Sequence, residues 1–341
     1  MTSNEKKINK LFFYWLSATL FLVFLIIIVG GLTRLTNSGL SITEWELFTG
    51  IVPPLNEASW LEYFNKYKQI PQFTILNSDM SLEEFKIIFY WEFFHRFLAK
   101  LIGVFFFIPL IVFFFTKSIK KEYLKISFVI MTLIILQGLI GWFMVTSGLI
   151  TNTSVSHYRL SIHLTTAILI VSIIFWLMLN IISNKNKFFF KFSSKNLPFQ
   201  FFILLIFVQI VMGAFVSGLD AGKIYQTWPL MGNTYFPNDL KFENINIIFD
   251  FDNHSLVQFY HRNLAYLIIL YFLFLLIYII KNRILSLYKP LSILAFFVFL
   301  QVIFGIFTLI SGLNIFLASA HQVTSVLLVL SAVYLYYLKV K

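Results

Sequence analysis

The chain has 341 residues, of which 59% are hydrophobic and only 12% are charged, and its formal net charge is +11. A soluble globular domain of this length cannot hide so much apolar surface, so the composition indicates an integral membrane protein. The absence of cysteine excludes disulfides, thiolate metal sites and iron–sulfur clusters in this chain.

Eight apolar runs are each long enough to cross the hydrocarbon core of a bilayer, about 30 Å, which takes about 20 helical residues. They predict an all-α integral membrane protein with eight transmembrane helices. The first run is too long for a signal peptide and has no small-residue cleavage site, so we expect a retained helix. The runs lie at approximately 11–30, 96–116, 126–146, 161–182, 199–217, 262–280, 291–310 and 318–338.

The charged residues predict the orientation in the membrane. One side, formed by both termini and the connections near 117–125, 183–197 and 281–290, carries 16 Lys and Arg against 2 acidic residues. The other side carries the remaining 10 of the 26 basic residues and 13 of the 15 acidic residues. Cytoplasmic loops are rich in Lys and Arg, so we expect cytoplasmic termini and long outer loops at about 31–94 and 218–260. This topology and the lipid head groups account for the positive charge, and no nucleic-acid partner is needed.

The sequence contains an internal repeat, in which four pairs of segments recur in the same order. The pairs are GGLTRLTNSGL with GAFVSGLDAGK, EFFHRFLAKLIG with QFYHRNLAYLI, LQGLIGWFMVTSGL with LQVIFGIFTLISGL, and SIHLTTAILIV with SAHQVTSVLLV. They predict two tandem pseudo-symmetric four-helix bundles. We expect an N-terminal half at 1–182, a cytoplasmic linker at 183–197 and a C-terminal half at 198–341.

The first outer loop carries a signal for a helix start. Ser81 followed by Glu84 is typical of a capping box, so we expect a helix to begin there and run into the bilayer through the segment WEFFHR. Tryptophan favours the membrane–water interface, and four tryptophans in or beside the outer loops are interpreted as interfacial anchors: Trp45, Trp60, Trp91 and Trp228.

Four histidines occupy repeat-related positions at the outer ends of the even-numbered helices, where His95 corresponds to His261 and His163 to His321. Polar side chains at membrane depth are costly and usually functional, and imidazole is a common axial ligand of haem iron. Even-numbered helices of one half enter from the same side, so their two histidines can face each other. The pattern predicts one bis-histidine haem site in each half.

Two other interpretations of the histidines were weighed. A single histidine near a helix end is more often an interfacial hydrogen-bonding group, but four in repeat register favour ligands. A zinc site needs three or four converging ligands, and each half offers two histidines without paired carboxylates. His157 and His254 lie in outer loops without repeat partners, and we assign neither as a ligand.

Arginine follows two of the predicted ligands, at Arg96 and Arg262. These guanidinium groups could bind haem propionates in fork geometry, or they could be boundary arginines that extend to lipid head groups. The sequence leaves both interpretations open.

Glu92 breaks the symmetry between the halves. It lies three residues before His95, on the same helical face, and Gln258 takes its place in the second half. Glutamine cannot exchange a proton at ordinary pH, so the difference predicts a reaction in the first half and electron storage or transfer in the second. The alternative is that Glu92 merely pairs with Arg96 at the membrane boundary.

The chain closely resembles the haem A synthase family, specifically the cysteine-free type of alphaproteobacteria and mitochondria. The matching stretches extend over nearly the whole chain: GGLTRLTNSGLSITEWELFTGIVPPL, KYKQIPQF, EFKIIFYWEFFHR, QGLIGWFMVTSGL, VSHYRLSIHL, GAFVSGLDAGKIYQTWPLM, VQFYHR and ASAHQ. The resemblance places the glutamate of the family's E-x-x-H pattern at Glu92. The cysteine pair found in the other branch of the family is missing here, so no role for a disulfide carries over.

The resemblance implies oxidation of the methyl group at ring position 8 of haem O to a formyl group, which gives the haem A of cytochrome c oxidase. It places the substrate haem between His95 and His163 and a haem b cofactor between His261 and His321, in a bacterial inner membrane. It also implies candidate partners, namely haem O synthase and an electron donor that is either a quinol or a ferredoxin-like protein. The resemblance leaves open whether the chain forms a homo-oligomer.

A function of a different class is a two-haem membrane electron carrier, or a haem-handling protein without chemistry of its own. It would explain the four histidines equally well. It gives no reason, however, for glutamate in one half and glutamine in the other.

Overall fold

The computed structural model describes residues 3–46, 49–150, 152–240 and 248–340, with side chains from Ile8 onward. In this part of the chain, eight helices are long and apolar enough to cross a membrane, which confirms the predicted all-α membrane fold. These helices are α1 (Ser3–Leu35), α4 (Leu82–Thr116), α5 (Lys121–Thr146), α6 (His157–Ser183), α7 (Leu197–Gly218), α8 (His254–Lys281), α9 (Tyr288–Ile310) and α10 (Ile315–Lys339).

Two short helices, α2 (Glu57–Tyr67) and α3 (Pro71–Leu76), lie in the first long loop. Short 3-10 helices at Ala221–Lys223 and Leu285–Leu287 follow α7 and precede α9. The only β-type pairing among the described residues is an isolated antiparallel bridge between Met231 and Thr234.

The chain divides into two compact units, Met1–Ile181 and Ile182–Lys341. In the first unit α4 packs against α1, α2 and α5. In the second unit α8 packs against α7 and α9, and α10 packs against α7 and α9. The linker at 183–197 and the half boundaries expected from the repeat stay predictions.

The start of α4 is fixed by the predicted capping box. The Ser81 hydroxyl accepts a hydrogen bond from the Glu84 amide at 3.3 Å, and the Glu84 carboxylate accepts one from the Ser81 amide at 2.8 Å. Each contact satisfies a backbone donor that a helix start leaves free. With 35 residues, α4 is about 50 Å long at 1.5 Å per residue, so its first turns extend beyond the hydrocarbon.

The first long loop folds back onto these extended turns of α4. Its apolar side chains and those of α4 form one buried cluster: Leu40, Ile42, Trp60, Phe64, Tyr67, Ile70, Phe85, Phe89 and Phe93. Burying one such side chain stabilises a fold by about 1.5–3 kcal/mol, so the cluster holds the loop firmly against α4. The interpretation of Trp60 as an interfacial anchor is wrong, because its ring is buried edge-to-face on Phe89, with centroids 5.0 Å apart.

Aromatic packing joins α1 to α4 deeper in the first unit. The ring of Trp15 lies 4.5 Å from that of Phe106, and the Trp15 indole N–H donates to the carbonyl of Phe105 at 3.1 Å. Phe12 packs edge-to-face on Phe113 with 5.3 Å between centroids. These contacts set the close approach of the two helices that carry Gly30 and His95.

Candidate functional site

The first unit brings together two of the predicted ligands. His95 on α4 and His163 on α6 face each other with ring centroids 6.4 Å apart and ring planes inclined by 67°. Both side chains are partly buried, and both Nδ1 atoms are fully buried without a hydrogen-bond partner. The backbone carbonyl of His163 accepts a hydrogen bond from the Gln137 amide on α5 at 2.8 Å, which ties α6 to α5 at this level.

The second unit repeats the arrangement with the other two predicted ligands. His261 on α8 and His321 on α10 also lie with ring centroids 6.4 Å apart, and their planes are inclined by 82°. Their Nδ1 atoms are again buried without partners. Gln209 on α7 donates to the backbone carbonyl of His261 at 3.0 Å, and Thr324 donates to the side-chain carbonyl of Gln301 on α9 at 2.6 Å. The side-chain amide nitrogens of Gln209 and Gln301 also lie 3.4 Å from Nε2 of His261 and His321, respectively.

The two pairs fit a haem iron. A metal ion midway between two imidazoles, bound through one nitrogen of each at about 2 Å, places the ring centres about 6 to 6.5 Å apart. The observed separation of 6.4 Å in both units has this value. Buried imidazole nitrogens without partners are rare in folded proteins and point to a ligand or to a further hydrogen bond.

The chemistry of the donor set also suits haem. Among the described residues, no three His, Cys, Asp or Glu side chains are grouped so that they could hold a metal ion by themselves. A porphyrin supplies four equatorial nitrogens, so two axial imidazoles complete the coordination of its iron. His95 with His163, and His261 with His321, therefore meet what a bis-histidine haem requires of the protein.

Glu92 lies in the first unit, one turn before His95 on α4, and only 2% of its surface is exposed. Its Oε1 accepts hydrogen bonds from Nε and Nη2 of Arg96 at 3.0 and 2.6 Å. Its Oε2 accepts from the Ser41 hydroxyl at 2.8 Å and from the Ile42 amide at 2.9 Å. Four hydrogen bonds thus hold the carboxylate, two of them from the guanidinium of Arg96.

Arg96 continues this network into the first long loop. Its Nη1 donates to the carbonyl of Glu44 at 2.8 Å, and its Nη2 donates to the carbonyl of Ile42 at 2.7 Å. The side chain of Arg96 is 15% exposed and that of Glu92 is 3% exposed. The expected pairing of Glu92 with Arg96 is present, but the pair is buried, because the loop covers a position that the sequence placed at an open boundary.

The second unit lacks the corresponding carboxylate. Gln258 donates to the carbonyl of Tyr225 at 2.9 Å, and Nη2 of Arg262 donates to the same carbonyl at 2.9 Å. Nη1 of Arg262 donates to the carbonyls of Thr227 and Leu230 at 2.9 and 3.3 Å. The side-chain oxygen of Gln258 and Nε of Arg262 are buried without partners. The two arginines therefore hold loops in a similar way, but of the two only Arg96 has a counterion among the residues that the structure describes.

Arg96 donates to two loop carbonyls and Arg262 to three, so these guanidinium groups hold the loops that follow α1 and α7, respectively. Propionate binding by Arg96 and Arg262 stays a prediction. His157 and His254, which were not assigned as ligands, are the first residues of α6 and α8. His157 precedes His163 by six residues, or about 9 Å along the helix axis.

Sequence reasoning missed several residues at the two sites. Ser41 and Ile42 hold Glu92, although about 50 residues separate them along the chain. Four glycines lie against the four imidazoles: Gly30, Gly141, Gly213 and Gly305. A signal for the glycines was available, because the aligned repeat segments place Gly30 opposite Gly213 and Gly141 opposite Gly305.

Comparison with known proteins shows the family of the chain. Residues 13–333 match the COX15-CtaA family, described as a cytochrome oxidase assembly protein. The chain belongs to this family. It is 47% identical over 339 residues to the Heme A synthase of Pelagibacter ubique strain HTCC1062, a match that covers 98% of each chain. The family resemblance drawn from the motifs is thereby confirmed.

Two further relatives carry the same description. The Heme A synthase of Flavobacterium johnsoniae is 37% identical over 341 residues, covering 96% of this chain and 98% of the relative. The Heme A synthase of Parvibaculum lavamentivorans is 44% identical over 258 residues, covering 75% of this chain and 74% of the relative. Members of this family thus retain substantial identity over most of their length.

Proposed function

We propose that the chain synthesises haem A by oxidising the methyl group at ring position 8 of haem O, in successive steps, to a formyl group. The conversion is a four-electron oxidation that adds one oxygen atom, so it needs an external oxidant besides any electron donor. The observation that carries this proposal is the pair of facing histidines in each unit of a chain that is 47% identical to a Heme A synthase over nearly its full length. Two facing histidine pairs in one membrane protein suit an enzyme with one substrate haem and one resident haem.

The substrate haem is assigned to the first unit, between His95 and His163, and haem b to the second, between His261 and His321. The asymmetry at Glu92 and Gln258 supports this order. A buried carboxylate one turn from His95 adds a charged, proton-accepting group to the first site, whereas the amide of Gln258 adds neither. Chemistry at a substrate methyl group needs such groups more than electron transfer does.

Haem b, when bound, supplies one-electron transfer. The protein's own part is to hold and orient the macrocycles through the four imidazoles and to close the sites with the loops. In the first unit Glu92 lies one turn from His95, where its carboxylate can stabilise positive charge that develops at the substrate or accept a proton. We assign Glu92 as the catalytic residue of the chain.

The proposed setting is the bacterial inner membrane with both termini in the cytoplasm, as the distribution of Lys and Arg predicts. Haem O is apolar and would reach the first unit from the bilayer, where α5 leaves large apolar side chains exposed, including Leu139, Trp142 and Phe143. Haem O synthase and a quinol or ferredoxin-like electron donor are the proposed partners.

Haem extraction and chromatography of the protein, purified from cells that make haem O, test the proposal. Haem b together with haem O or haem A is the expected result. Haem b alone, with no haem A formed in cells that express the chain, would instead favour a two-haem electron carrier. The matched control is the His95→Ala variant, which should keep haem b and contain neither haem O nor haem A.

A further inference from the structure

Each of the four predicted ligand histidines lies against a glycine of the neighbouring odd-numbered helix of its bundle. A Cβ atom built on Gly30 would lie 2.8 Å from Cε1 of His95, and one on Gly141 would lie 3.0 Å from Cε1 of His163. In the second unit the matching distances are 3.1 Å from Gly213 to His261 and 2.9 Å from Gly305 to His321. Carbon atoms in favourable contact lie about 3.5–4.0 Å apart, so no other side chain fits at these positions without displacing the imidazole.

Backbone conformation does not explain these glycines. All four lie inside α1, α5, α7 and α9, and none has the positive φ that favours glycine over other residues. Glycine inside a helix costs about 1 kcal/mol relative to alanine, so its use at four repeat-related positions requires a gain elsewhere. Gly103 and Gly138 have open space around the position of a Cβ, so close approach to another group is not a general property of the chain's helical glycines.

The missing side chain leaves a backbone carbonyl uncovered. In a helix a side chain covers the turn that precedes its own Cα, so a residue in place of Gly30 would cover the turn that contains Ile26. The carbonyl of Ile26 faces the imidazole of His95, and the carbonyls of Gln209 and Gln301 face those of His261 and His321. Each of these residues precedes the glycine of its site by four positions, which is one helical turn.

The histidines carry a nitrogen that matches this carbonyl. Nδ1 is buried without a hydrogen-bond partner in all four, although each side chain as a whole is only partly buried. A ligand histidine commonly donates its second ring N–H to a carbonyl or carboxylate, and that bond fixes the tautomer and the ring orientation. With Nδ1–H directed at the helix carbonyl, Nε2 is the nitrogen left for a metal.

We propose that four glycines are positioning residues, which allow the four haem-ligating imidazoles to be held in place: Gly30, Gly141, Gly213 and Gly305. This inference rests on the proposed function, since it takes the four histidines as haem ligands. Gly30, Gly213 and Gly305 each let the imidazole reach the carbonyl one turn earlier, which favours one tautomer and one orientation of the ring, and Gly141 lets the ring of His163 approach α5 equally closely. The repeat thus duplicates each histidine together with the glycine that lies against it.

A purely structural role is the competing explanation, because glycines also allow helices to pack closely in membranes. The two roles differ in what an added methyl group does. A packing defect would lower the amount of folded protein and both haems together. A displaced imidazole would alter only the haem in the same unit, in its affinity, its low-spin absorption spectrum and its electron paramagnetic resonance signal.

The test compares Gly141→Ala with Gly138→Ala, two substitutions three residues apart on α5 that add the same methyl group. Disturbing the groups that orient a metal ligand commonly weakens metal binding about 10-fold to 100-fold, so Gly141→Ala, whose methyl group displaces the ring of His163, should retain substrate haem at least about 10-fold more weakly. Gly138→Ala should match the parent. Gly305→Ala should do the same to haem b with the substrate haem unchanged, and the unaffected haem of each variant shows that the chain has folded.

The proposed positioning role of the glycines is overturned if Gly141→Ala and Gly305→Ala keep both haems with parental affinity and parental low-spin spectra, or if they lose both haems in equal measure. His321→Ala separates this outcome from a failure of the ligand assignment. If His321→Ala loses haem b while Gly305→Ala keeps it unchanged, His321 is a haem ligand but Gly305 does not position it. If His321→Ala keeps haem b, the proposed ligand itself is wrong.

Discussion

Arg96 donates two hydrogen bonds to one carboxylate oxygen of Glu92, through Nε at 3.0 Å and Nη2 at 2.6 Å. The other oxygen of Glu92 is held by Ser41 and Ile42, so a single buried carboxylate joins α4 to the loop that follows α1. Removing one partner of a buried pair leaves the other charge uncompensated, which commonly costs about 3–5 kcal/mol. Glu92 therefore combines a structural task with its proposed part in catalysis.

The Glu92→Gln variant is expected to lose haem A formation by about 100-fold or more if the carboxylate acts in proton transfer. Glutamine has nearly the same size as glutamate and is the residue that the second unit has at the corresponding position, Gln258. It removes the negative charge and one hydrogen-bond acceptor. The measurement is the amount of haem A and of partly oxidised haem O formed per bound haem, with haem content matched to the parent.

Ser41→Ala is the matched control, because it removes one hydrogen bond to the same oxygen and leaves the charge in place. If Glu92 only anchors the loop, both variants should lower the thermal stability and leave turnover per bound haem within a few-fold of the parent. Parental turnover by Glu92→Gln would remove its catalytic role.

Sequence reasoning reached the helices and the histidines because both follow from rules that act along the chain. The thickness of the bilayer imposes the length of each apolar run, and the repeat brings His95 into register with His261. An even number of spans in each half already predicts that the two histidines of a pair lie on the same side of the membrane. Helix packing then brings their ring centroids to 6.4 Å.

The loop contacts could not be reached in this way. Nothing periodic in the first long loop indicates that Ser41 and Ile42 return to Glu92, because that contact arises from burial of an aromatic cluster whose members are spread from Leu40 to Phe93. The same burial turned an expected boundary pair of Glu92 and Arg96 into a buried one. The four glycines align in the repeat segments of the sequence, but only the structure shows that an imidazole lies against each of them.

Acid should loosen the loop that follows α7 in the second unit. The hydroxyls of Tyr225 and Ser255 each donate to Asp239 at 2.6 Å. Burial would by itself raise the pKa of the Asp239 carboxyl, but the hydrogen bonds from Ser255 and Tyr225 outweigh burial and hold this pKa below its ordinary value. A carboxyl whose pKa is lower in the folded state stabilises the fold above its unfolded pKa, about 4, and that stabilisation is lost as the pH falls through the folded pKa.

Hydrogen exchange of the 220–240 segment measures this effect. Protection factors, which correct for the pH dependence of intrinsic exchange, should be high at neutral pH and should fall below about pH 4 in the parent. In Asp239→Asn, which has no carboxyl to protonate, the segment should exchange faster at neutral pH and should show a weaker dependence on acid. Equal acid sensitivity in the two proteins would exclude Asp239 as the responsible group.

Gln258→Glu should stabilise the second unit. The side-chain oxygen of Gln258 and Nε of Arg262 are both buried without partners, and the corresponding atoms of Glu92 and Arg96 are hydrogen-bonded. A carboxylate at position 258 gives Arg262 a counterion, while the carbonyl of Tyr225 keeps its hydrogen bond from Arg262. We expect a gain of about 1 kcal/mol, or about 2–4 °C in Tm, measured by thermal unfolding with haem b bound.

Gln258→Leu is the control, since it removes the polar group without adding charge and should lower the Tm. Haem A formation should not increase in Gln258→Glu, because the proposed reaction takes place in the first unit. A Tm for Gln258→Glu as low as that of Gln258→Leu would show that the carboxylate does not reach Arg262.

Alanine substitutions of the four histidines should separate the two units. His261→Ala and His321→Ala each remove one proposed axial ligand of haem b, so they should deplete the b-type haem and its low-spin absorption spectrum. His95→Ala and His163→Ala should abolish haem A formation and leave most haem b in place, because the pairs lie in different compact units. The measurements are haem content by extraction and the absorption spectrum of the reduced protein.

His157→Ala is the matched control, because this histidine lies on the same helix as His163 but about 9 Å away along its axis, and it should keep both haems. Loss of haem b alone in His95→Ala and His163→Ala would show that the substrate and the cofactor occupy the opposite units. A full haem complement with an unchanged spectrum in any of the four variants would exclude that histidine as an axial ligand.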